Sequence, residues 1–258
     1  MQTQRRPQLS VGRVSLGGVT YREYRSPVGL EPLVACLWAS DPVPGRTTRV
    51  IPDGCVDLVW FGAEQGLVVV GADTGPWISG PSAAGDSTYA IRLRPGAAGA
   101  VLGLPASEVR DSRVSADLVW GAEGRELEDA LMTADPGQRL RILTEGVLRR
   151  HATPDPLALA AARKLAEPGV RVSAAAADLG ISERQLNRRL QNAVGYGPKM
   201  LARVARLRRL IAQPGDDPLA IRAFAAGYAS QAHMTDEVRR LTGLTPVHFL
   251  KDAALTAA

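Results

Sequence analysis

The C-terminal part of the chain contains one pattern twice, and this repeat constrains the fold more than any other feature. Three positions recur 47 residues later and five recur 48 residues later: Val172, Ala176 and Gly180 as Leu219, Ala223 and Gly227, and Leu186, Leu190, Gly195, Pro198 and Leu201 as Met234, Val238, Gly243, Pro246 and Phe249. The one-residue difference falls in a turn, which tolerates it. Self-similarity at a fixed period indicates a repeated supersecondary unit.

Each copy has the features of a helix-turn-helix. A small residue such as Ala176 lets two helices approach closely, and Gly180 supplies the positive φ that a chain reversal needs. Ser182 and Gln185 have the spacing of a capping box at the start of the second helix. Ser230 is expected to cap the corresponding helix of the second copy.

A connecting helix is predicted between the copies. Met200, Val204, Leu207 and Ile211 form one apolar stripe, which predicts a helix over residues 198–212. At about 1.5 Å per residue such a helix is roughly 22 Å long. That length suits a strut between two helices that enter successive major grooves of DNA, about 34 Å apart.

Polar residues share one face of the second helix in the first copy. They lie at i, i+3, i+4 and i+7: Arg184, Asn187, Arg188 and Gln191. Leu186 and Leu190 fall on the opposite face. One side of this helix is therefore expected to pack, while the other is free to contact a ligand or solvent.

Charge is unevenly distributed along the chain. Residues 1–150 hold 16 basic and 17 acidic residues, whereas residues 151–258 hold 15 and 9. Within 182–209 there are eight basic residues and a single acid, Glu183. This distribution is typical of a polyanion-binding domain joined to another domain. The alternative is a solvated helix face, which accounts for most basic runs.

The first hundred residues predict strands. Short segments rich in β-branched and aromatic residues are separated by Gly, Pro and Asp: 11–16, 19–24, 32–38, 55–61, 66–71 and 88–94. Helical patterns follow near 122–132 and 137–151. We expect an α+β protein with a β-rich domain and trailing helices at 1–150, a linker at 151–156, an all-α domain of two helix-turn-helix units joined by a connecting helix at 157–252, and a tail at 253–258.

The C-terminal sequence resembles the AraC/XylS family of transcription regulators. The resemblance covers about 170–252 and rests on "VSAAAADLGISERQLNRRLQNAVGYGPKMLARVARLRRLIAQ" and, more specifically, on "LAIRAFAAGYASQAHMTDEVRRLTGLTPVHFLKD". It implies two helix-turn-helix units that bind duplex DNA near promoters. RNA polymerase would be a further partner if the protein is an activator.

The resemblance also assigns residues to DNA contacts. Arg188 would donate two hydrogen bonds to guanine and Asn187 would pair with adenine, with Arg184 beside them. The residues expected to reach phosphates are Gln191, Arg189, Arg203 and Arg206. The matching positions of the second unit are Ser230, Gln231, Ala232, Thr235, Asp236 and Arg239.

The second unit departs from the family pattern. Many relatives carry arginine at the position of Asp236 and a large aromatic residue at that of Val238. A carboxylate cannot donate to guanine and is repelled by phosphate, although it can accept from cytosine. The second unit is therefore expected to read fewer bases than the first. Its alternative role is to brace the connecting helix.

The N-terminal sequence resembles a domain often found in front of this DNA-binding module. In better-known relatives such a β-rich domain binds an effector or forms a dimer. Candidate effector contacts are Asp53, Cys55, Asp57, Trp60, Arg92 and Arg94, and the first three would share one side of a strand. The structural alternative is a turn at Asp53-Gly54 before a buried strand, with Arg92 and Arg94 on a surface strand edge.

Other functions find little support in the sequence. The histidines lie at the linker and in the repeat, and neither a metal-binding motif, a cofactor-binding motif nor a nucleophile elbow occurs. A thiol- or metal-sensing protein is one alternative. Asp53, Cys55 and Asp57 could hold a metal, but hard metals prefer more oxygen ligands and soft metals prefer more thiolates or histidines. No Lys or His near Cys55 in sequence would lower its pKa, so a buried hydrophobic role is favoured for it and Cys36. DNA-alkyl-damage repair remains an enzymatic alternative. Apolar runs of 18 residues are absent, so a non-membrane, cytoplasmic protein is expected.

Overall fold

The computed structural model describes residues 11–16, 19–45, 47–80, 87–213 and 217–251. Within these ranges the N-terminal part contains nine strands: β1 (Val11–Leu16), β2 (Val19–Arg25), β3 (Val34–Ser40), β4 (Arg49–Val50), β5 (Val56–Trp60), β6 (Leu67–Val70), β7 (Trp77–Ile78), β8 (Thr88–Leu93) and β9 (Arg113–Ser115). The six predicted strands are present: β1 has the predicted bounds, and the ends of the other five differ by at most two residues. The short strands β4, β7 and β9 carry too few residues to show a periodic pattern.

Seven strands form one antiparallel sheet in the order β1-β2-β3-β8-β5-β6-β9, and β4 pairs with β7 separately. Alternation along the central strands divides the sheet into two faces. Leu58 and Trp60 lie on one face with Ile91, and all three are buried. Asp57 and Arg92 form a cross-strand pair on the other face.

The helices that trail the sheet cover its apolar face. They are α1 (Ala98–Leu102), a 3-10 helix (Ala106–Glu108), α2 (Ala116–Trp120), α3 (Ala122–Thr133) and α4 (Pro136–Arg149). Helix α4 packs on β8, and the Arg139 guanidinium lies 5.9 Å from the centre of the Trp60 ring. The predicted order of a β-rich part followed by helices is confirmed.

The described residues of the C-terminal part contain seven helices: α5 (Pro156–Ala166), α6 (Val172–Asp178), α7 (Glu183–Val194), α8 (Pro198–Ile211), α9 (Leu219–Ala225), α10 (Gln231–Thr242) and α11 (Pro246–Lys251). The pairs α6–α7 and α9–α10 are the two helix-turn-helix units, and α8 is the connecting helix. Gly180 and Gly227 have φ values of 66° and 89°, as the turns require.

The hydrophobic core does not stop at the predicted linker. One cluster of buried residues extends from Val69 in the sheet through Val101 of α1 to Leu186 and Leu190 of α7. A second cluster fills the second helix-turn-helix and includes Met234. The chain is irregular between α4 and α5, but the first helix-turn-helix and the sheet share a core. The predicted tail at 253–258 lies outside the described residues.

Candidate nucleic-acid interface

Helix α7 begins with the capping box that the sequence predicts. The Ser182 hydroxyl accepts a hydrogen bond from the backbone N–H of Gln185 at 3.2 Å, and the Gln185 side chain accepts one from the backbone N–H of Ser182 at 2.9 Å. The helix ends at Gly195, whose φ is 103°. Both ends of α7, which we name the first reading helix because its exposed face is the candidate DNA contact, are therefore fixed by local sequence.

The structure brings the four predicted polar residues of α7 onto one face but exposes them unequally. Arg184 and Arg188 are exposed, whereas Asn187 and Gln191 are half-buried. A Cβ on Gly197 would lie 2.3 Å from Oδ1 of Asn187, so the amide of Asn187 rests against the turn that follows the helix. The two arginines are the members of this face with the freest access to a ligand.

The C-terminal half of α7 packs against the N-terminal part of the chain. A Cβ on Gly99 of α1 would lie 2.2 Å from the carbonyl oxygen of Asn192, so only glycine allows this approach. A Cβ on Gly195 would lie 3.2 Å from the carbonyl oxygen of Ala106. The C-terminal half of α7 is therefore held in place, while the side chains of Arg184 and Arg188 on its first two turns remain exposed.

The second reading helix, α10, has the same layout. Ser230 accepts a hydrogen bond from the backbone N–H of His233 at 3.1 Å, which confirms its capping role. The exposed positions near its start are Gln231, Ala232 and Asp236, followed by Arg239. Thr235 is half-buried, and its hydroxyl donates to the carbonyl of Gln231 at 2.9 Å. The front of α10 thus presents an acid and few hydrogen-bond donors.

A buried carboxylate on α10, Glu237, organises the contact with the connecting helix. Its side chain is 6% exposed and accepts hydrogen bonds from Arg206 Nη2 at 2.8 Å and Nε at 3.1 Å. Arg203 Nε and His233 Nε2 lie 3.4 and 3.2 Å from the same carboxylate. His233 Nδ1 accepts from the backbone N–H of Ala229, so its neutral form can donate from Nε2.

Two arginines expected to reach phosphates therefore have protein partners. Arg206 is bound in bidentate fashion to Glu237, and Arg189 donates to Asp155, which also caps α5. Arg203 is exposed and keeps part of its guanidinium free. Glu237 was not identified from the sequence. Helical periodicity places this acid on the buried face of α10, one residue after the exposed Asp236, and that was the available signal.

A basic cleft of about 220 Å³ lies between the end of α5, the start of α6 and the turn of the second unit. Arg171, Arg206 and Arg209 line it together with Gly227. Arg209 Nε donates to the carbonyl of Ala226 at 3.0 Å. Glu167 also lines the cleft, and burial, together with the neighbouring charge of Arg206, lowers the pKa of Arg209.

A separate polar cluster occupies the sheet face opposite the helices. The Arg92 guanidinium binds Asp57 at 3.1 Å and lies 3.5 Å from Asp53 and 4.0 Å from Glu23. The indole N–H of Trp38 donates to Asp57 at 2.8 Å. Burial alone would lower the pKa of Arg92, but the charges of Asp57 and Asp53 outweigh it and hold this pKa well above its usual value.

The six candidate effector residues do not form one site. Asp53, Asp57 and Arg92 converge, with Cys55 beside them, but Trp60 lies on the opposite sheet face and Arg94 is exposed with its Nε on the carbonyl of Glu31. β5 begins at Val56, so Asp53 reaches Arg92 from a turn rather than from a strand. β8 is an interior strand, which corrects the predicted surface edge.

Neither cysteine has the environment of a reactive thiol. Burial raises the pKa of Cys36 to about 12 and that of Cys55 well above its usual value. Cys55 is buried in the turn where its backbone N–H donates to Asp53 at 2.8 Å. Since the thiolate is the nucleophilic form, both side chains are suited to packing.

Across the described ranges there is no cluster of three or more His, Cys, Asp or Glu side chains that could hold a metal ion. Within the same ranges, none of the helices combines the length and apolar character needed to cross a membrane.

Two family models match the chain. Residues 175–252 match a helix-turn-helix domain, and residues 22–115 match a domain of unknown function, DUF6597. Over 85 residues the chain is 41% identical to a probable bifunctional transcriptional activator/DNA repair enzyme AlkA from Mycobacterium tuberculosis, a match that covers 32% of this chain. The chain spans only 17% of the length of that relative.

Solved structures of ToxT from Vibrio cholerae are similar at a lower level. An apo point variant has a TM-score of 0.45 and 12% identity, covering 84% of this chain and 97% of ToxT. Wild-type ToxT bound to an unsaturated fatty acid has a TM-score of 0.43 and 12% identity, covering 86% and 96%.

Proposed function

We propose that this chain, whose C-terminal part is an AraC-type helix-turn-helix domain, regulates transcription by binding duplex DNA at specific sequences. The two reading helices would enter the major groove with their N-terminal ends, as in other helix-turn-helix proteins. Base recognition would depend chiefly on the first unit, α6–α7.

One observation carries this proposal: Arg184 and Arg188 are exposed on one face of α7, and the C-terminal half of the same helix is packed against the N-terminal part of the chain. A bidentate arginine–guanine contact needs a guanidinium that is free and a backbone that does not move. The capping box and the contact of Gly99 with the carbonyl of Asn192 supply the fixed backbone. The exposed face of α10 lacks comparable donors near its start, so it would add fewer base contacts.

The proposal is tested by replacing both arginines. The full chain is first used to select its preferred duplex from a random DNA library. Arg184→Ala combined with Arg188→Ala should then weaken binding to the selected duplex by roughly 2–6 kcal/mol, because each specific contact contributes about 1–3 kcal/mol. The matched control is Arg141→Ala, an exposed arginine on α4 that is paired with Glu145. An undiminished gel shift with the double variant would contradict the assignment.

The N-terminal part is proposed to bind a small effector or to mediate dimerisation. The polar cluster of Asp53, Asp57 and Arg92 supports effector binding because it places buried charges on the sheet face opposite the trailing helices α1–α4. A thermal-shift screen of metabolites on the full chain, with Asp57→Asn as the comparison, would test it. A ligand that stabilises both proteins equally would argue against this cluster as the site.

The structure lends no support to a second function in alkyl repair. The M. tuberculosis relative carries a repair activity in its name, but the present chain spans a minor part of its length. Transfer of an alkyl group to cysteine requires a thiolate, and burial raises the pKa of both Cys36 and Cys55.

A further inference from the structure

The N-terminal part of the chain contacts the C-terminal end of α10 as well as that of α7. Arg49 Nη1 of β4 donates to the carbonyl oxygen of Thr242, the last residue of α10, at 2.9 Å. A Cβ on Gly243 would lie 3.2 Å from Arg49 Nη1 and 3.6 Å from Pro76 Cγ. The two-stranded sheet of β4 and β7 therefore rests on the end of α10.

Ile51 gives this contact a hydrophobic component. It is 4% exposed and belongs to the same buried cluster as Leu207 and Leu210 of α8 and Met234 of α10. These are residues of the second helix-turn-helix and its connecting helix, so the N-terminal part supplies one member of that unit's core. Withdrawing Ile51 would expose an apolar surface that the second unit does not cover by itself.

The same segment also contacts the start of the connecting helix. A Cβ on Gly54, whose φ is +86°, would lie 3.3 Å from the hydroxyl oxygen of Tyr196 and 3.5 Å from Leu201 Cδ1. Residues 49–54, which we name the bridging segment, thus run from the end of α10 to the N-terminal end of α8. Within it, Asp53 lies 3.5 Å from Arg92 of the polar cluster.

We propose that Arg49 and Ile51 are positioning residues for DNA recognition: the bridging segment fixes the distance and angle between the two reading helices. This inference rests on the proposed DNA-binding function. A single connecting helix joins the two units along one line, whereas the bridging segment adds a second point of attachment. Glu237 and the buried cluster already hold α10 against α8, so the second attachment fixes the orientation of α8 and the second unit together relative to the first unit.

Fixed geometry has a measurable consequence for the DNA site. Half-sites recognised by paired helices are about 10–10.5 base pairs apart, so each inserted base pair rotates one half-site by roughly 34°. A rigid pair of helices cannot follow that rotation without losing contacts. A pair joined only through α8 can change its relative orientation and keep some of these contacts. Its affinity should therefore depend less on half-site spacing.

The experiment measures affinity as a function of half-site spacing. A bipartite duplex is selected from a random library with the full chain, and one or two base pairs are then inserted into or deleted from its centre. The wild-type chain should lose roughly tenfold in affinity for a one-base-pair change. Arg49→Ala and Ile51→Ala should bind the selected duplex within about threefold of wild type but lose only about threefold on the same change.

Controls separate the outcomes. Arg22→Ala removes an arginine of the same domain that pairs with Asp41, and it should keep the wild-type spacing penalty. Arg49→Ala leaves the core intact, so it remains informative if Ile51→Ala fails to fold by circular dichroism. Equal spacing penalties in Arg49→Ala and Arg22→Ala, or a wild-type chain indifferent to spacing, would overturn this inference alone. A library with no enriched sequence would overturn the proposed function as well.

Discussion

Arginines of this chain have different roles because burial and partners differ from one to the next. Arg184 and Arg188 are exposed, while Arg206 is bound to a buried carboxylate and Arg92 is enclosed among Asp57, Asp53 and Glu23. A guanidinium whose N–H groups already donate to carboxylate oxygens has few donors left for a phosphate or a base. At the residue scale, access rather than charge therefore separates the candidate DNA contacts from structural arginines.

The thiol of Cys36 provides a prediction at this scale. Burial raises its pKa from 9.0 to about 12, with the nearby carboxylates of Glu23 and Asp57 adding to the shift and Arg92 opposing it. Between these two values the unfolded chain loses the proton while the folded chain keeps it. The free energy of unfolding should therefore fall as pH rises through this range.

Denaturant titrations between pH 8 and 11 measure this dependence. Cys36→Ala should show a shallower decline than wild type, because one group no longer contributes. Alkylation by iodoacetamide at pH 8 should be slow in the native protein and fast in denaturant. Rapid native labelling of Cys36, confirmed by peptide mass, would be inconsistent with a half-buried thiol that keeps its proton.

At the scale of elements, the second helix-turn-helix depends on a polar contact between α8 and α10. Glu237 is on the buried face of α10 and joins Arg206, Arg203 and His233. The contact braces the connecting helix, a role that the sequence left open as the alternative for this unit. The same helix can brace with its buried face and still present Gln231 and Asp236 to solvent.

Substitutions of two neighbouring acids test whether Glu237 stabilises the contact between α8 and α10. Glu237→Ala should lower the free energy of unfolding by about 3 kcal/mol, because it leaves the Arg206 guanidinium, 21% exposed, without its counter-charge. Asp236→Ala removes an exposed carboxylate from the adjacent position and should change it by no more than about 0.5 kcal/mol. Urea unfolding of both variants measures the difference. Similar losses in the two would show that the buried network contributes no more than a surface charge.

At the scale of the whole molecule, the first helix-turn-helix and the sheet form one packed body. The buried cluster that contains Val69 and Val101 continues into Leu186 and Leu190. The carbonyl of Asn192 approaches Gly99 so closely that any side chain there must push α7 away from α1. A change in the N-terminal part can therefore move the first reading helix directly.

A glycine pair tests this connection. Gly99→Ala should lower the free energy of unfolding by about 1–3 kcal/mol through overpacking and should also weaken binding to the selected duplex. Gly137→Ala, in the first turn of α4 with no atom within 4 Å of the added Cβ, should be neutral or slightly stabilising. Thermal unfolding and gel shifts on both variants provide the measurements. Unchanged DNA affinity in a destabilised Gly99→Ala would separate packing from positioning.

Local sequence was sufficient to predict the repeat, both caps and the connecting helix. Ser182, Gly180 and the stripe from Met200 to Ile211 act within a few residues of themselves, and the structure has α8 at Pro198–Ile211 against the predicted 198–212. The six longer strands were predictable for the same reason, since alternation is a local property. The exposed front of α7 followed from helical periodicity.

Tertiary structure alone decided what those elements touch. Arg206 could not be assigned to Glu237 from the sequence, because the two residues are on different helices and their distance depends on how α10 packs on α8. Ile51 lies in the core of the second unit, although its neighbours there are about 150 residues or more away along the chain. No local sequence pattern encodes this packing. Contacts between residues far apart in sequence depend on the whole fold, and here they determine which side chains remain free to bind DNA.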